Sequence, residues 1–500
     1  MNANVDQPRR YRLGSADHSG WLFGLGPVPC IVLGVGLLGG GLVLHTTGSV
    51  VLAVVPVAVG AVAVFGRWQG RVAYEWIEPL AGWMTLHAGH QDRWSARVPF
   101  LGQTPVGPDL PPFLEGLLLV ERESRWTRLP RLTGIAVVVD DTRHRVTGAL
   151  RVRGREFSLL EHDEQSRVLD GWGAALAGFC REHSPVTQIA WSEWAAPASL
   201  DDHLMFVREQ HDGTTSAPRL DEYLDLVARA GPLATEHDVV VTISVDRRRV
   251  RRSSHPVDDP AVEALLEELH RFAARLEQAG LVVDPPLAPA ELGGVLRLRA
   301  DPSAASRLGV KGHAIGGPAL TVATHNRAPL AVDVGWHHVH VDQSWHRSFW
   351  IAEWPRLEVP ADWLAGLLLH AGGIRTVTVV YEPVTPSRSR RAVDREATRL
   401  VSDEEERTAR GFRIRAQHRR AESEVLAREA ELVSGFAELR YAGFLTVTAP
   451  DLQSLDDQAA DWEQVAAQCG LELRALDGQQ DLGLCAGLSV GRVPTGRGRG

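Results

Sequence analysis

The chain has 500 residues, a formal net charge of -9 and four cysteines. This length allows two or three domains, and the acidic balance gives no electrostatic basis for direct nucleic-acid binding by the chain as a whole. The four cysteines lie far apart and show no CxxC spacing, so neither a zinc ribbon nor a disulfide framework is indicated and reduced thiols are expected.

Residues 1–18 are polar, and residues 19–70 are predicted to form a transmembrane hairpin. Between Ser19 and Gly66 there is no Asp, Glu, Lys or Arg. A run from Trp21, WLFGLGPVPCIVLGVGLLGGGLVL, is followed after a short polar break by a second from Val50, VVLAVVPVAVGAVAVF. A spanning helix needs about 20 apolar residues. A signal peptide has a shorter apolar core with no second run directly after it; a buried hairpin of a soluble protein is the other alternative.

The flanks of the hairpin predict its orientation. The basic and aromatic residues lie outside the two runs or at their ends: Arg9, Arg10, Arg12 and Trp21 at the start, and Arg67, Trp68 and Arg71 at the end. The connecting turn carries no fixed charge. Because basic residues favour the cytoplasmic side, we expect a two-pass inner-membrane protein with both termini in the cytoplasm.

Residues 71–112 are predicted to hold an amphipathic helix and a proline-rich linker. Trp76, Leu80, Trp83 and Leu86 recur at spacings of three and four, which indicates one apolar helix face. This face either lies on the membrane surface or packs on the next domain. Prolines cluster between 102 and 112 and mark the first domain boundary.

The rest of the chain is predicted to form two cytoplasmic α+β lobes with antiparallel sheets. Residues 113–317 show β-branched runs at 134–140, 146–152, 186–194 and 238–245, with helical patterns between and after them. Residues 318–490 repeat this alternation around the run TVTVVYE. They also include a long charged helical segment, 386–432, rich in Arg and Glu. The Gly/Arg-rich tail, 491–500, is predicted to be disordered.

Catalytic motifs are missing from the sequence, so we expect a non-enzyme without a cofactor. A phosphate-binding loop needs Gly-Lys-Ser/Thr, but the only lysine, Lys311, is followed by Gly312 and His313. No nucleophile elbow, zincin motif or dinucleotide fingerprint is present. The Asp140-Asp141 pair is interpreted as solvated turn chemistry.

The densest group of potential metal ligands lies at 335–342, GWHHVHVD. On a strand, His338 and His340 share a face, and Asp342 or His346 would complete a metal site. The alternative is an ordinary polar face opposite Val339 and Val341. This group is the basis for a membrane-tethered metal-dependent enzyme as an alternative function.

A basic run follows the strand at 238–245. Its members are Arg247, Arg248, Arg249, Arg251 and Arg252. Such a run binds an acidic partner or anionic lipid headgroups, or it is a solvated loop.

Short segments of the chain resemble a family of actinobacterial integral membrane proteins encoded with conjugation machinery. They are 20–26 (GWLFGLG), 65–71 (FGRWQGR), 354–356 (WPR) and 381–384 (YEPV). The hairpin is similar to PrgI-like membrane subunits. Residues 387–490 resemble the non-catalytic N-terminal region of type IV secretion ATPases at these positions: Arg390, Arg391, Glu438, Tyr441, Gly443, Phe444 and the closing LSVGR.

The resemblance carries over no catalytic residue. It implies a structural subunit, within a hetero-oligomeric secretion or conjugation complex, that docks a separately encoded motor ATPase lacking its own N-terminal region. A core membrane subunit of a type VII secretion system is the alternative within the same class.

Overall fold

The computed structural model describes most of the chain. The described residues are 10–11, 13, 27–68, 71–96, 110–122, 134–154, 157–197, 207, 217–230, 235–250, 259–303, 329–409 and 416–494. Most of the linker at 102–112 lies outside them.

The apolar N-terminal region forms two helices, α1 (Pro27–Thr47) and α2 (Val50–Phe65). Only Gly48 and Ser49 separate them, and Gly48 has a φ of +65°, which favours glycine at this tight turn. Gly36 lies against Gly60, and Gly40 lies against Ala53. Because the later residue of α1 contacts the earlier residue of α2, the two helices pack antiparallel.

A short segment links these helices to the rest of the molecule. It consists of a two-stranded hairpin, β1 (Arg67–Trp68) with β2 (Arg71–Val72), a 3₁₀ turn at Ala73–Trp76, α3 (Ile77–Ala88) and β3 (Arg93–Ser95). The amphipathic helix predicted in this region is therefore present as α3.

The first half of the remaining chain alternates strands and helices. Its elements are β4 (Leu117–Arg122), β5 (Ile135–Asp140), β6 (Arg145–Arg153), α4 (His162–Ala177), β7 (Val186–Pro197), α5 (Ala217–Ala230), β8 (Thr235–Asp246), α6 (Pro260–Gln278), β9 (Val282–Pro286) and α7 (Pro289–Ala300).

The second half has the same alternation. Its elements are β10 (Ala331–Val334), β11 (Val339–Val341), β12 (Ser344–Glu353), α8 (Ala365–Leu368), β13 (Ile374–Pro383), α9 (Pro386–Ala409), α10 (Ala416–Val433), β14 (Leu439–Ala449), α11 (Leu452–Gln468), β15 (Glu472–Ala475) and α12 (Gln480–Gly487).

All strands from β3 onward join one 13-stranded sheet within the described residues. Its order is β3-β10-β11-β12-β14-β13-β7-β8-β6-β5-β4, with β15 also paired to β12 and β9 to β6. Every pairing is antiparallel. The predicted α+β class with an antiparallel sheet is confirmed, and the strands of the two predicted lobes are joined edge to edge by β7 and β13.

Helices cover both faces of the sheet. In β8, Val241 and Ile243 point to the core with α4 and α6, whereas Val240 points to the core with α7 and α12, as the two-residue period of a strand requires. Helices α8 and α11 cover the first of these faces in the second half. This burial on both sides explains why the strands read as continuous β-branched runs.

The two halves have matching topology. Strands β4-β5-β6-β8-β7, with β9 beside β6, correspond in order to β10-β11-β12-β14-β13, with β15 beside β12. The matching strands β7 and β13 pair antiparallel at the centre, where Ser192 lies opposite Thr378 and their hydroxyls are 2.9 Å apart. An approximate two-fold axis therefore relates the halves, although their sequences show no residue-level repeat.

The C-terminal residues of each half contact a hairpin of the other half. After α7, Asp301 accepts a hydrogen bond from Ser344 at the start of β12, and Arg297 pairs with Asp342. After α12, Arg492 pairs with Asp140 at the end of β5, with Nε 2.7 Å from Oδ2. This exchange binds the halves together at two matching hairpins.

The charged segment and the tail differ from expectation in detail. The charged segment is a pair of helices, α9 and α10, with Arg428 of α10 bridging Glu396 of α9 and Glu438. The tail predicted from Gly491 begins with packed residues, because Arg492 is only 8% exposed. Residues 495–500 lie outside the described part.

Candidate functional site

The surface of α1 and α2 is apolar and widely exposed. Leu38 and Val51 are 77% and 79% exposed. In the described residues one helix, Val28–Thr47, is long and apolar enough to cross a membrane, and α2 is a shorter apolar helix. Soluble proteins rarely leave contiguous apolar patches of this extent uncovered. Membrane anchors and signal sequences both place such a helix near the N-terminus.

Helix α3 exposes a second apolar surface. Ile77, Leu80 and Met84 are 60%, 41% and 63% exposed. Their spacing places them on one face of the helix. Trp83, on an adjacent side of α3, and Trp76, in the preceding 3₁₀ turn, both contact Trp336. Of the sequence stripe at 76, 80, 83 and 86, Trp76, Trp83 and Leu86 are at least partly buried, whereas Leu80 is exposed together with Ile77 and Met84, which the stripe missed.

A cluster of tryptophans joins α3 to the sheet. Trp336, in the turn between β10 and β11, stacks on Trp76 at 6.1 Å between ring centroids and meets Trp83 edge-on at 5.4 Å. Trp76 in turn contacts Trp68 at 5.1 Å. A Cβ on Gly478 would lie 2.7 Å from the Trp336 ring, so only glycine permits this packing. The apolar helices are thus attached to the sheet through aromatic contacts.

The predicted flanking residues fall partly inside and partly outside the described region. Arg10 and Arg67 are exposed, and Trp68 is 59% exposed. Arg71 pairs with Trp68 across β1 and β2. Arg9, Arg12 and Trp21 lie outside the described residues.

The histidines of the GWHHVHVD segment are each held by other groups. His338 and His340 share a face, as predicted, and both contact the Trp345 ring, at 5.0 and 4.2 Å between centroids. His337 Nδ1 lies 2.9 Å from an Asp477 oxygen. Burial, together with Arg347 and His337, lowers the pKa of His338. In the part of the chain that the structure describes, no three His, Cys, Asp or Glu residues are grouped as metal ligands.

His346 and Asp342 have structural partners that occupy their ligand atoms. His346 Nε2 donates to the carbonyl of Ala300, so its Nδ1 accepts from the Thr448 hydroxyl. Burial lowers the pKa of His346 to about 4, which keeps the ring neutral. Asp342 accepts from the N–H groups of Leu330 and Ala331 and pairs with Arg297. These side chains stabilise the contact between the halves.

The basic run is divided between structural and exposed positions. Arg247 bridges Asp141 and Asp259 at 2.7 and 2.8 Å, which ties the β5–β6 turn to the start of α6. Arg248 and Arg249 are exposed. Arg251 and Arg252 lie outside the described residues.

Asp140 differs from the solvated carboxylate that the sequence predicted. Burial raises the pKa of its carboxyl, but hydrogen bonds from Arg492, Thr142 and the Arg143 N–H outweigh burial and lower the pKa to about 2. Asp140 is therefore a charged anchor for the C-terminal segment. Asp141 beside it is exposed, as expected.

A buried arginine at the centre of the fold carried no signal in the sequence. Arg299 of α7 donates to the Ser192 hydroxyl, the Gly487 carbonyl and the Ser489 hydroxyl at 2.7–2.9 Å. Burial lowers its pKa to about 10 although Asp238 opposes the shift. Because Gly487 and Ser489 belong to the second half, Arg299 connects the two halves internally.

Searches for similarity returned no relatives: no family model matches this chain, and no curated protein matches it.

Proposed function

We propose that this protein is a two-pass inner-membrane subunit that presents a large antiparallel sheet at the cytoplasmic face of a secretion or conjugation apparatus. The observation that carries the proposal is the exposed apolar surface of α1 and α2 together with the outward face of α3. Buried in lipid, α1 and α2 would satisfy all their backbone groups as helices, apart from the carbonyl freed by Pro56.

The contact between α1 and α2 has the features of helix association in membranes. Gly36 and Gly40 form a GxxxG spacing that faces α2, and a Cβ on Gly40 would lie 2.7 Å from the Ala53 carbonyl oxygen. Small residues allow such close approach where there is no hydrophobic drive between helices. Gly34 and Gly41 face outward, with nothing within 4 Å.

Helix α3 then lies at the membrane surface. Ile77, Leu80 and Met84 enter the headgroup boundary, as in other interfacial amphipathic helices, while the tryptophan cluster holds the sheet against this helix. Arg10 and Arg67 flank the hairpin, and by the positive-inside rule they support the proposal that both ends lie in the cytoplasm.

The role in the apparatus rests on the resemblance to conjugation-type membrane proteins, which implies docking of a motor ATPase that lacks its own N-terminal region. A type VII core membrane subunit combines the same parts and is the alternative. The metal-dependent enzyme loses support, because the ligand atoms of His346 and Asp342 are occupied by the protein itself.

A matched pair of substitutions tests the membrane hairpin. Gly40→Leu forces the larger side chain into Ala53 and Val57, whereas Gly41→Leu places the same side chain toward lipid. We expect Gly40→Leu to reduce the yield of membrane-extracted, monodisperse protein severalfold and to lower its melting temperature, and Gly41→Leu to leave both unchanged. Equal behaviour of the two variants would contradict the hairpin.

The partner is tested by cross-linking in native membranes followed by mass spectrometry. We expect cross-links from the sheet region to a P-loop ATPase of conjugation type. Cross-links to a type VII motor would select the alternative, and the lack of any motor among the cross-linked proteins would overturn the docking role.

A further inference from the structure

A cavity of about 350 Å³ opens where the two halves meet, at the end of the sheet where β13 stops and β14 begins. Val380, Ala442 and Phe444 of the second half give it an apolar lining, which we call its floor. Gln188 of β7, Tyr441 of β14 and the segment Val493–Pro494 also line it. We call this cavity the junction pocket. Because both halves and the C-terminal segment line it, a ligand there would contact all three.

Four arginines and two carboxylates surround the junction pocket: Arg143, Arg145, Arg248, Arg440, Asp246 and Glu382. Arg145 lies directly opposite Asp246 on neighbouring strands, and Arg440 lies directly opposite Glu382. Residues in such pairs are close enough to compensate each other's charge.

The remaining two arginines, Arg143 and Arg248, belong to turns. Among the described residues, neither has a carboxylate within ion-pair distance. The pocket therefore has a surplus of about two positive charges.

Some of these arginines are fixed before any ligand arrives. Arg145 donates to Gln188 at 3.0 Å, and Gln188, which is 1% exposed, donates to the Gly491 carbonyl. Arg143 donates to the Val493 carbonyl at 3.3 Å. Burial lowers the pKa of Arg145, and the nearby Arg143 adds to this effect. These hydrogen bonds hold the guanidinium groups in a partly desolvated cavity. Binding of an anion is favoured there.

We propose that the junction pocket binds a small phosphate monoester whose organic part is apolar and flat. A monoester carries about -1.5 to -2 charges at pH 7, which matches the surplus. Guanidinium groups bind phosphate oxygens in pairs, and the floor of Val380, Ala442 and Phe444 receives the organic part. The volume is in the range of small-molecule sites. This binding activity goes beyond the structural role proposed above.

Binding is measured by calorimetry on the full-length protein in detergent, with phenyl phosphate, inorganic phosphate and phenol as probes. We expect saturable binding of phenyl phosphate, weaker binding of inorganic phosphate and none of phenol. Arg248→Gln removes an exposed arginine of the pocket, and we expect it to weaken phenyl phosphate binding about 10-fold or more. Arg249→Gln is the control, since Arg249 is exposed in the same turn but does not line the pocket.

A second variant tests the floor. Ala442→Leu fills the space for the ring, so the affinity for phenyl phosphate should fall to that for inorganic phosphate. A melting curve of each variant shows whether it is folded.

The proposal is overturned if the folded wild-type protein shows no saturable binding of phenyl phosphate, or if Arg249→Gln weakens binding as much as Arg248→Gln. Equal affinity for phenyl phosphate and inorganic phosphate would contradict the proposal that the ligand has an apolar organic part. Binding of short-chain phosphatidic acid without binding of phenyl phosphate would also contradict it, because the phosphate would then belong to a lipid.

Discussion

The two halves of the sheet share one topology but carry different attachments. In the first half, α5 lies in the connection between β7 and β8; in the second, the charged helices α9 and α10 lie between β13 and β14. In the described residues, the second half contacts the segment that follows α2 through β3 beside β10 and through Trp336. The halves share a common scaffold, and they differ in the helices inserted between their matching strands: α5 in the first half, α9 and α10 in the second.

The halves also depend on each other. Arg297 and Asp301 reach the β11–β12 turn, Arg492 reaches the matching β5–β6 turn, and Arg299 lies between. A fold built from two independent domains would place its polar contacts within each half. The following predictions separate contacts between the halves from the attachments.

The largest effect is expected at Arg299. Arg299→Met removes the hydrogen bonds to Ser192, Gly487 and Ser489 and leaves buried polar groups unpaired, which costs about 3–5 kcal/mol. Chemical unfolding of the full chain in detergent should show a lower midpoint, and Arg249→Met, at an exposed position, should show no change. An unchanged midpoint for Arg299→Met would mean that this contact does not hold the halves together.

A smaller and matching effect is expected at the two exchanged ends. Arg492→Gln and Arg297→Gln each remove one ion pair to a turn of the other half, and each should cost about 2–3 kcal/mol because the remaining carboxylate stays buried. The same unfolding experiment checks both. A loss at one end only would show that the two ends are not equivalent.

The ion pair between Asp140 and Arg492 also makes the stability of the fold depend on pH. Its folded pKa of about 2 is below the ordinary value of 3.8, so its stabilisation is present above about pH 4 and is lost as the pH falls from about 4 toward 2. Asp140→Asn should flatten the loss of stability in this window. An unchanged pH profile in the variant would contradict the assignment.

The smallest effect is expected from removing α9 and α10. Pro383 and Leu439 are directly paired, so a short Gly/Ser linker in place of 386–435 can close the gap. Because most of the described side chains of the segment are exposed, stability should change by about 1 kcal/mol or less. Failure of this variant to fold would show that the charged helices are part of the scaffold.

The sequence predicted most strands because they are buried on both sides and therefore β-branched throughout, as at 376–382. It missed the strands β1 to β4 and β9, and the helix α12. Helix α12 is short and contains Gly483 and Gly487. Gly483 packs so closely on Ser348 that a Cβ added to Gly483 would lie 2.4 Å from the Cβ of Ser348. Such packing depends on long-range contacts that leave no periodic pattern.

The candidate sites were harder to predict, because partners distant in sequence decide the role of each side chain. His346 looks like a ligand until Ala300 and Thr448 are known to occupy its ring. Arg247 looks like part of a binding run until Asp141 and Asp259 are placed beside it. The apolar hairpin needed no such partner, since composition alone indicates it.

The membrane arrangement is tested most directly by thiol labelling in intact cells. Ser49→Cys lies in the turn between α1 and α2, and Phe436→Cys lies at a 68% exposed position before β14. With a membrane-impermeant maleimide and the native chain as background, we predict that Ser49→Cys is labelled in intact cells and that Phe436→Cys is labelled only after lysis. Labelling of Phe436→Cys in intact cells, or of Ser49→Cys only after lysis, would contradict a two-pass subunit with a cytoplasmic sheet.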